Sequence, residues 1–267
     1  MTEKTHVNIA PESVSKSVTM LVSQKGGCGK SFKTRCLAQV GRFWGHEVAV
    51  FDGDAQIGTT HRALGARDAA GKLLAEQDPL VGAGRYSLRL DGQREELLNT
   101  LATGAATIVH DLPGGALLDM AKVVDGGSDG RFDTMLSTVA AYGYRLTLLH
   151  LVTPEISTMH SLGQYLRAFG GEARHVAVLN RAFGADDDDF AVWFSSRTRK
   201  DLLGLGGREM NLPALKPSVL AKLDGLHLPI TVNVPHAKLT VAEGGNLLAF
   251  RKAYEAELNT IADWIFP

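Results

Sequence analysis

Apolar residues along the chain fall into two alternating patterns. Short runs rich in β-branched residues, at 18–22, 47–51, 107–111, 145–152 and 175–179, have the continuous hydrophobicity of strands buried on both faces. Between them, residues 32–44, 132–142 and 156–169 carry apolar positions three and four apart, which predicts helices. In the last of these, Ile156, Met159, Leu162, Tyr165, Leu166 and Phe169 form one stripe, a core face rather than a binding face. Such alternation is the rhythm of βαβ units. It predicts an α/β fold in three layers: a mainly parallel, twisted sheet with helices on both faces. Residues 57–102 are less regular, with a short helix over 59–65, a strand over 86–90 and an amphipathic helix over 93–102. Further on, the pattern predicts a helix over 215–226 with Pro217 in its first turn, a last strand over 229–235, and a terminal helix with Leu247, Phe250, Tyr254, Leu258, Ile261 and Ile265 on one face. Residues 1–17 are polar and read as a loose arm ahead of a single domain at 18–267.

The polar residues that end the strands carry the chemistry. Behind the first run stands Ser23-Gln24-Lys25-Gly26-Gly27-Cys28-Gly29-Lys30-Ser31, a glycine-rich turn opening a helix. There backbone N–H groups can point at phosphate oxygens, and the helix N-terminus adds partial positive charge. The common phosphate-loop spacing G-x-x-x-x-G-K-[ST] needs a glycine five positions before Gly29, and Gln24 occupies it. Instead, a second lysine, Lys25, stands near the start of the turn. The second run ends in Asp52-Gly53-Asp54-Ala55-Gln56, the third in Asp111-Leu112-Pro113-Gly114-Gly115, and the fifth in Asn180-Arg181. The carboxyl ends of parallel strands are where open α/β sheets bind ligands, so these residues point to one site. His110, inside a strand, reads as a packing residue, and His160, off its helix stripe, as solvated.

The loop Lys-Gly-Gly-x-Gly-Lys-Ser resembles the deviant Walker A motif of the ParA/MinD-type P-loop ATPases. The resemblance implies ATP and Mg²⁺ as cofactors, with Gly26, Gly27, Cys28, Gly29, Lys30, Ser31 and Phe32 around the phosphates. Lys30 would hold the β- and γ-phosphates, and Ser31, Asp54 and Asp111 would serve the metal. It further implies that Asp54 positions the attacking water, that Gly114 senses the γ-phosphate through its N–H, that Asn180 with Arg181 faces adenine, and that Pro235 lies in a proline loop against the base. Lys25 would reach the phosphates of a second copy, giving an ATP-dependent homodimer with slow hydrolysis stimulated by a protein partner. Ala55 stands where the family commonly has proline, and Phe32 where it often has threonine. The implied role is plasmid partition, conjugative mobilisation or intracellular positioning. An ATP-dependent ligase of the dethiobiotin synthetase type, or a non-hydrolysing ATP-binding adaptor, would use the same loop.

Composition narrows this picture. With 267 residues, 45% hydrophobic and 21% charged, the chain suits one large globular domain. A formal net charge of -1 excludes a uniformly basic nucleic-acid binder and leaves any DNA contact to a local patch, for which Arg197, Arg199 and Lys200 are the candidates. Beside Trp193 and Phe194, those cations fit equally a helix with an inward aromatic face. Asp186 to Asp189 reads as a solvated loop or helix start. Two cysteines, Cys28 and Cys36, build neither a disulfide framework nor a metal site and fit a reducing cytoplasm, with nucleoid association if DNA is bound. No apolar run is long enough to span a membrane, and the mixed charge of the terminal helix predicts docking on the sheet rather than on lipid.

Overall fold

A computed structural model describes residues 16–124 and 132–267. The expected loose arm, up to residue 15, and the expected glycine loop at 126–130 lie outside the described residues. In chain order the elements are β1 (Lys16–Val22), α1 (Lys30–Phe43), β2 (Val48–Asp52), α2 (Thr59–Leu64), β3 (Gly84–Arg85), α3 (Glu96–Asn99), β4 (Thr107–Asp111), α4 (Ala116–Ala121), α5 (Asp133–Ala141), β5 (Tyr144–Val152), α6 (Ile156–Phe169), β6 (Arg174–Asn180), α7 (Ala191–Ser195), α8 (Arg197–Gly204), β7 (Arg208–Leu212), α9 (Pro217–Gly225), α10 (Val241–Asn259) and α11 (Ala262–Ile265).

The strands form a seven-stranded sheet in the order β3-β2-β4-β1-β5-β6-β7, every pair parallel. The most apolar strands take the middle. In β1, Val18, Met20 and Val22 pack into one layer with Leu97, Met120, Met135 and Tyr165, whereas Leu21 points into the other with Leu37, Leu223, Phe250 and Tyr254. A third, smaller cluster joins α6 to α7 and α8 around Trp193 and Leu202. Parallel connection sets all carboxyl strand ends on one edge, so the polar segments after β1, β2, β4 and β6 meet there.

The terminal helix docks as its stripe requires: Leu247, Phe250, Tyr254, Leu258, Ile261 and Ile265 are all buried. Thr240 and Glu243 close its start as a reciprocal capping box. Among the described residues no helix is long and apolar enough to cross a membrane.

Four expectations fail locally. The segment 229–235 is not a strand. Val232 N–H turns back to Pro229 O at 3.1 Å, and the Gln39 side chain takes the Ile230 N–H at 2.9 Å, so Ile230 enters the core without a ladder. The edge strand is β7, where Met210 and Leu212 are buried and Arg208 and Glu209 are engaged by side chains. The strand expected over 86–90 shrinks to Gly84–Arg85 plus an isolated antiparallel bridge between Asp54 and Ser87. The helix expected over 93–102 splits into α3 and a 3-10 turn, Thr100–Thr103. β1 also starts earlier than expected, at Lys16.

Candidate functional site

The loop between β1 and α1 is braced from three sides. Ser161 Oγ of α6 accepts the Gln24 N–H at 2.8 Å, Ser23 O accepts the Gly115 N–H at 3.2 Å, and Asn180 Nδ2 donates to Cys28 O at 2.9 Å. Gly29 has φ 100°, and a Cβ there would stand 2.4 Å from Asn180 Nδ2, so only glycine fits the turn into α1. Gly114 approaches from the β4 side, where a Cβ would meet the Gly26 N at 3.2 Å. The Cys28 side chain is 1% exposed and turns inward, its thiol 3.5 Å from Lys25 O, so it serves packing and only its backbone faces the loop.

In front of the loop lies a cleft of about 510 Å³, lined by residues that include Gly26, Gly27, Gly29, Lys30, Ser31, Phe32, Asp54, Asp111 and Gly114. Lys30 Nζ reaches back to Lys25 O at 3.2 Å. Asp111 is 3% exposed, and burial pushes its carboxyl up to about 6 against the opposing effect of the Ser31 and Thr60 hydroxyls. Thr60 Oγ1 donates to Asp111 Oδ2 at 2.6 Å, while Asp111 Oδ1 is buried with no partner among the described residues. An orphaned carboxylate oxygen beside a serine hydroxyl and Asp54 is a donor set suited to a hard divalent cation with its waters. No cluster of three His, Cys, Asp or Glu side chains exists among the described residues, which leaves hydroxyl, carboxylate and phosphate oxygens as the donors.

Asp52, the other acid of its pair, has a different job. Its Oδ1 accepts the Asp54 N–H at 3.0 Å and its Oδ2 the His61 N–H at 2.8 Å, which ties the segment after β2 to the start of α2; burial raises its pKa. Two further residues of the cleft region escaped the sequence reading. Thr60 holds Asp111, and Arg89 lines the cleft while donating to Gly114 O at 2.8 Å. Neither carries a distinguishing spacing.

Other predicted residues stand outside the cleft. Lys25 forms an ion pair with Glu155, which precedes α6. Asn180 is 3% exposed and committed at both ends, since its Oδ1 also accepts the Ala182 N–H at 3.1 Å. Arg181 is held by Asn211 Oδ1 at 2.6 Å and Asp187 at 2.7 Å, above the Phe190 ring. Pro235 is exposed and follows no strand; the proline at the exit of the edge strand is Pro213. Of the basic trio, Arg199 is turned inward onto Glu209, at 2.8 and 2.9 Å, beside the Trp193 Nε1 bond to the same carboxylate at 2.7 Å; only Arg197 and Lys200 are exposed. Asp187 pairs with Arg181, and Asp189 accepts the Asp186 N–H. His110 is a packing residue, buried between Tyr86 Oη at 3.0 Å and Thr100 Oγ1 at 3.2 Å, and His160 is exposed.

A seven-stranded parallel sheet with a glycine loop at its central strand and carboxylates at the neighbouring strand ends defines a P-loop nucleoside-triphosphatase fold. Solved structures with this arrangement include the cell division ATPase MinD of Pyrococcus furiosus, 18% identical with a TM-score of 0.50, covering 90% of this chain and 98% of that one. The septum site-determining protein MinD of Pyrococcus horikoshii, solved with Mg-ADP, is 16% identical with a TM-score of 0.50, covering 92% and 97%. At this identity the likeness establishes the shared fold. No protein-family model matches the chain, and no curated protein does.

Proposed function

We propose that the chain is a Mg-ATP-dependent switch that dimerises on ATP and separates after slow hydrolysis, in the manner implied by its deviant Walker A loop. The observation that carries this reading is the facing of Lys30 and Ser31 with Asp111, whose Oδ1 is buried and unpartnered among the described residues. The Mg-ADP bound by the Pyrococcus horikoshii MinD of the same fold supports the choice of ligand.

In this reading the loop N–H groups and Lys30 neutralise the β- and γ-phosphates. The metal, when bound, adds further charge neutralisation on those oxygens. Ser31 and Asp111 would hold it, with Thr60 fixing the rotamer of Asp111 through Oδ2. Asp54 would orient water near the γ-phosphate, and the Gly114 N–H would report whether that phosphate is present. The adenine would lie toward the strand exits that carry Asn180 and Pro213. Lys25, now paired with Glu155 on the rim, exchanges that partner for the phosphates of a second copy. Phosphoryl transfer asks chiefly for positioning and charge neutralisation, which this cleft provides without a histidine base. Partition, mobilisation or positioning of a cargo, with a protein partner that stimulates hydrolysis, is the role that fits such a timer.

Calorimetric titration of ATP and ADP, with and without Mg²⁺, tests the site. The expected result is metal-dependent binding to the parent chain and loss of the metal dependence in Asp111→Asn. Metal-independent binding to both proteins would refute the assignment of Asp111.

A further inference from the structure

A second cavity, of about 450 Å³, opens between α1, α2 and α9 and shares a wall, Ser31, Phe32 and Thr59, with the phosphate cleft. Its floor is apolar, from Phe32, Ala63 and Leu220, and its rim carries Arg35, Arg62, Arg67 and His227 against a single carboxylate, Asp224. None of the residues at the exits of β6 and β7, toward which the adenine is assigned, takes part in it.

One observation marks this cavity as more than a gap between helices. Arg35 is 5% exposed; its guanidinium pairs with Asp224 and donates to Leu228 O at 2.9 Å, yet its Nε is buried with no acceptor among the described residues. A buried donor left without an acceptor carries a desolvation cost that an incoming anion relieves. His227, two residues past α9, has φ 52° as the left-handed residue of the turn that closes this helix, its N–H on Asp224 O at 3.2 Å and the Leu228 N–H on Leu223 O at 2.9 Å. Arg62 donates through Nη1 to Ile57 O, and Arg67 through Nη1 to Gly71 O at 2.9 Å and through Nη2 to Arg62 O at 2.8 Å, so backbone carbonyls hold both guanidiniums in place without neutralising their charge.

We propose that this cavity binds a small organic anion, a ring or short apolar body bearing one phosphate, sulfonate or carboxylate, separately from the nucleotide in the phosphate cleft. The apolar floor takes the body, and the positive charge of Arg62 and Arg67, with the unpartnered Nε of Arg35, takes the anion. The volume lies within the range of small-ligand pockets. Because α2 forms one wall and carries Thr60, the hydroxyl on Asp111, an occupant here is coupled to the metal side of the cleft through one short helix.

Phenyl phosphate, with inorganic phosphate as the charge-only probe, tests this in the full chain by calorimetry, both nucleotide-free and saturated with Mg-ADP. The expected outcome is saturable one-to-one binding of phenyl phosphate in both states, tighter than inorganic phosphate. That binding should weaken at least tenfold in R62Q/R67Q, with ADP affinity retained. Absence of saturable binding, full competition by ADP, or equal binding by R62Q/R67Q would overturn the proposal. Failure of ADP itself to bind would instead count against the nucleotide assignment, leaving the nucleotide-free titration to decide on the anion.

Discussion

Replacing Asp111 with asparagine separates what the carboxylate does for a ligand from what it does to the fold. The side chain is 3% exposed and its pKa is pushed from the usual 3.8 up to about 6, chiefly by burial. Because the folded value lies above the unfolded one, the native state holds a proton that the unfolded chain has lost between these limits. Stability therefore falls as pH rises from about 4 to about 6, and the full cost of the buried charge is present above that window. A shift of about two units corresponds to about 3 kcal/mol. Asparagine has the same shape, keeps an oxygen for the Thr60 hydroxyl and cannot ionise. In urea unfolding without nucleotide, Asp111→Asn should be more stable than the parent at pH 8 by up to about 3 kcal/mol, with the difference disappearing near pH 4. Added Mg-ADP should reverse the order, because binding to the native state stabilises the parent more. A variant that is less stable than the parent at pH 8 without ligand, or offset equally at both pH values, would refute the reasoning.

Two further substitutions follow from the same geometry. Lys33 is wholly buried, with Nζ 2.8 Å from Tyr254 Oη, and burial lowers its pKa to about 7. Its folded value lies below the unfolded one, so stability rises with pH between about 7 and 10, and Lys33→Met should stabilise the protein at pH 7 by up to about 4 kcal/mol in denaturant unfolding, a gain that shrinks by pH 10. An unchanged midpoint would show the lysine to be compensated where it stands. Gly29→Ala should cost about 1–3 kcal/mol and abolish nucleotide binding, since φ 100° and the 2.4 Å approach to Asn180 Nδ2 both exclude a Cβ; normal ADP affinity in that variant would contradict the bracing of the loop.

The legible parts of the fold were those in which one physical signal ran uninterrupted. β1, β2, β4, β5 and β6 announce themselves because strands buried on both faces must be apolar throughout, and α6 because its stripe from Met159 to Phe169 keeps helical period, although Ile156, expected at its start, is exposed. β7 was hidden, since an edge strand needs only one apolar face, and Arg208 and Glu209 look polar until Asp263, Arg199 and Trp193 meet them. The run 229–235 misled for the opposite reason: its apolar residues fill the core from turns. The expectation that Pro235 follows the last strand rested on that run; the proline that follows β7 is Pro213. Within the site, Lys30, Ser31 and Asp111 were readable from motif and strand end. Thr60 and the pairing of Lys25 with Glu155 depend on chain segments far apart in sequence, which no local spacing reveals.

Light scattering in the presence of Mg-ADP and of Mg-ATP, on the parent and on Lys25→Ala, decides whether ATP joins two copies through Lys25. The expected results are a monomer with ADP, a dimer of the parent with ATP, and a Lys25→Ala variant that binds ATP yet stays monomeric. A parent chain that remains monomeric with saturating ATP, or a Lys25→Ala variant that dimerises as the parent does, would contradict the proposed switch.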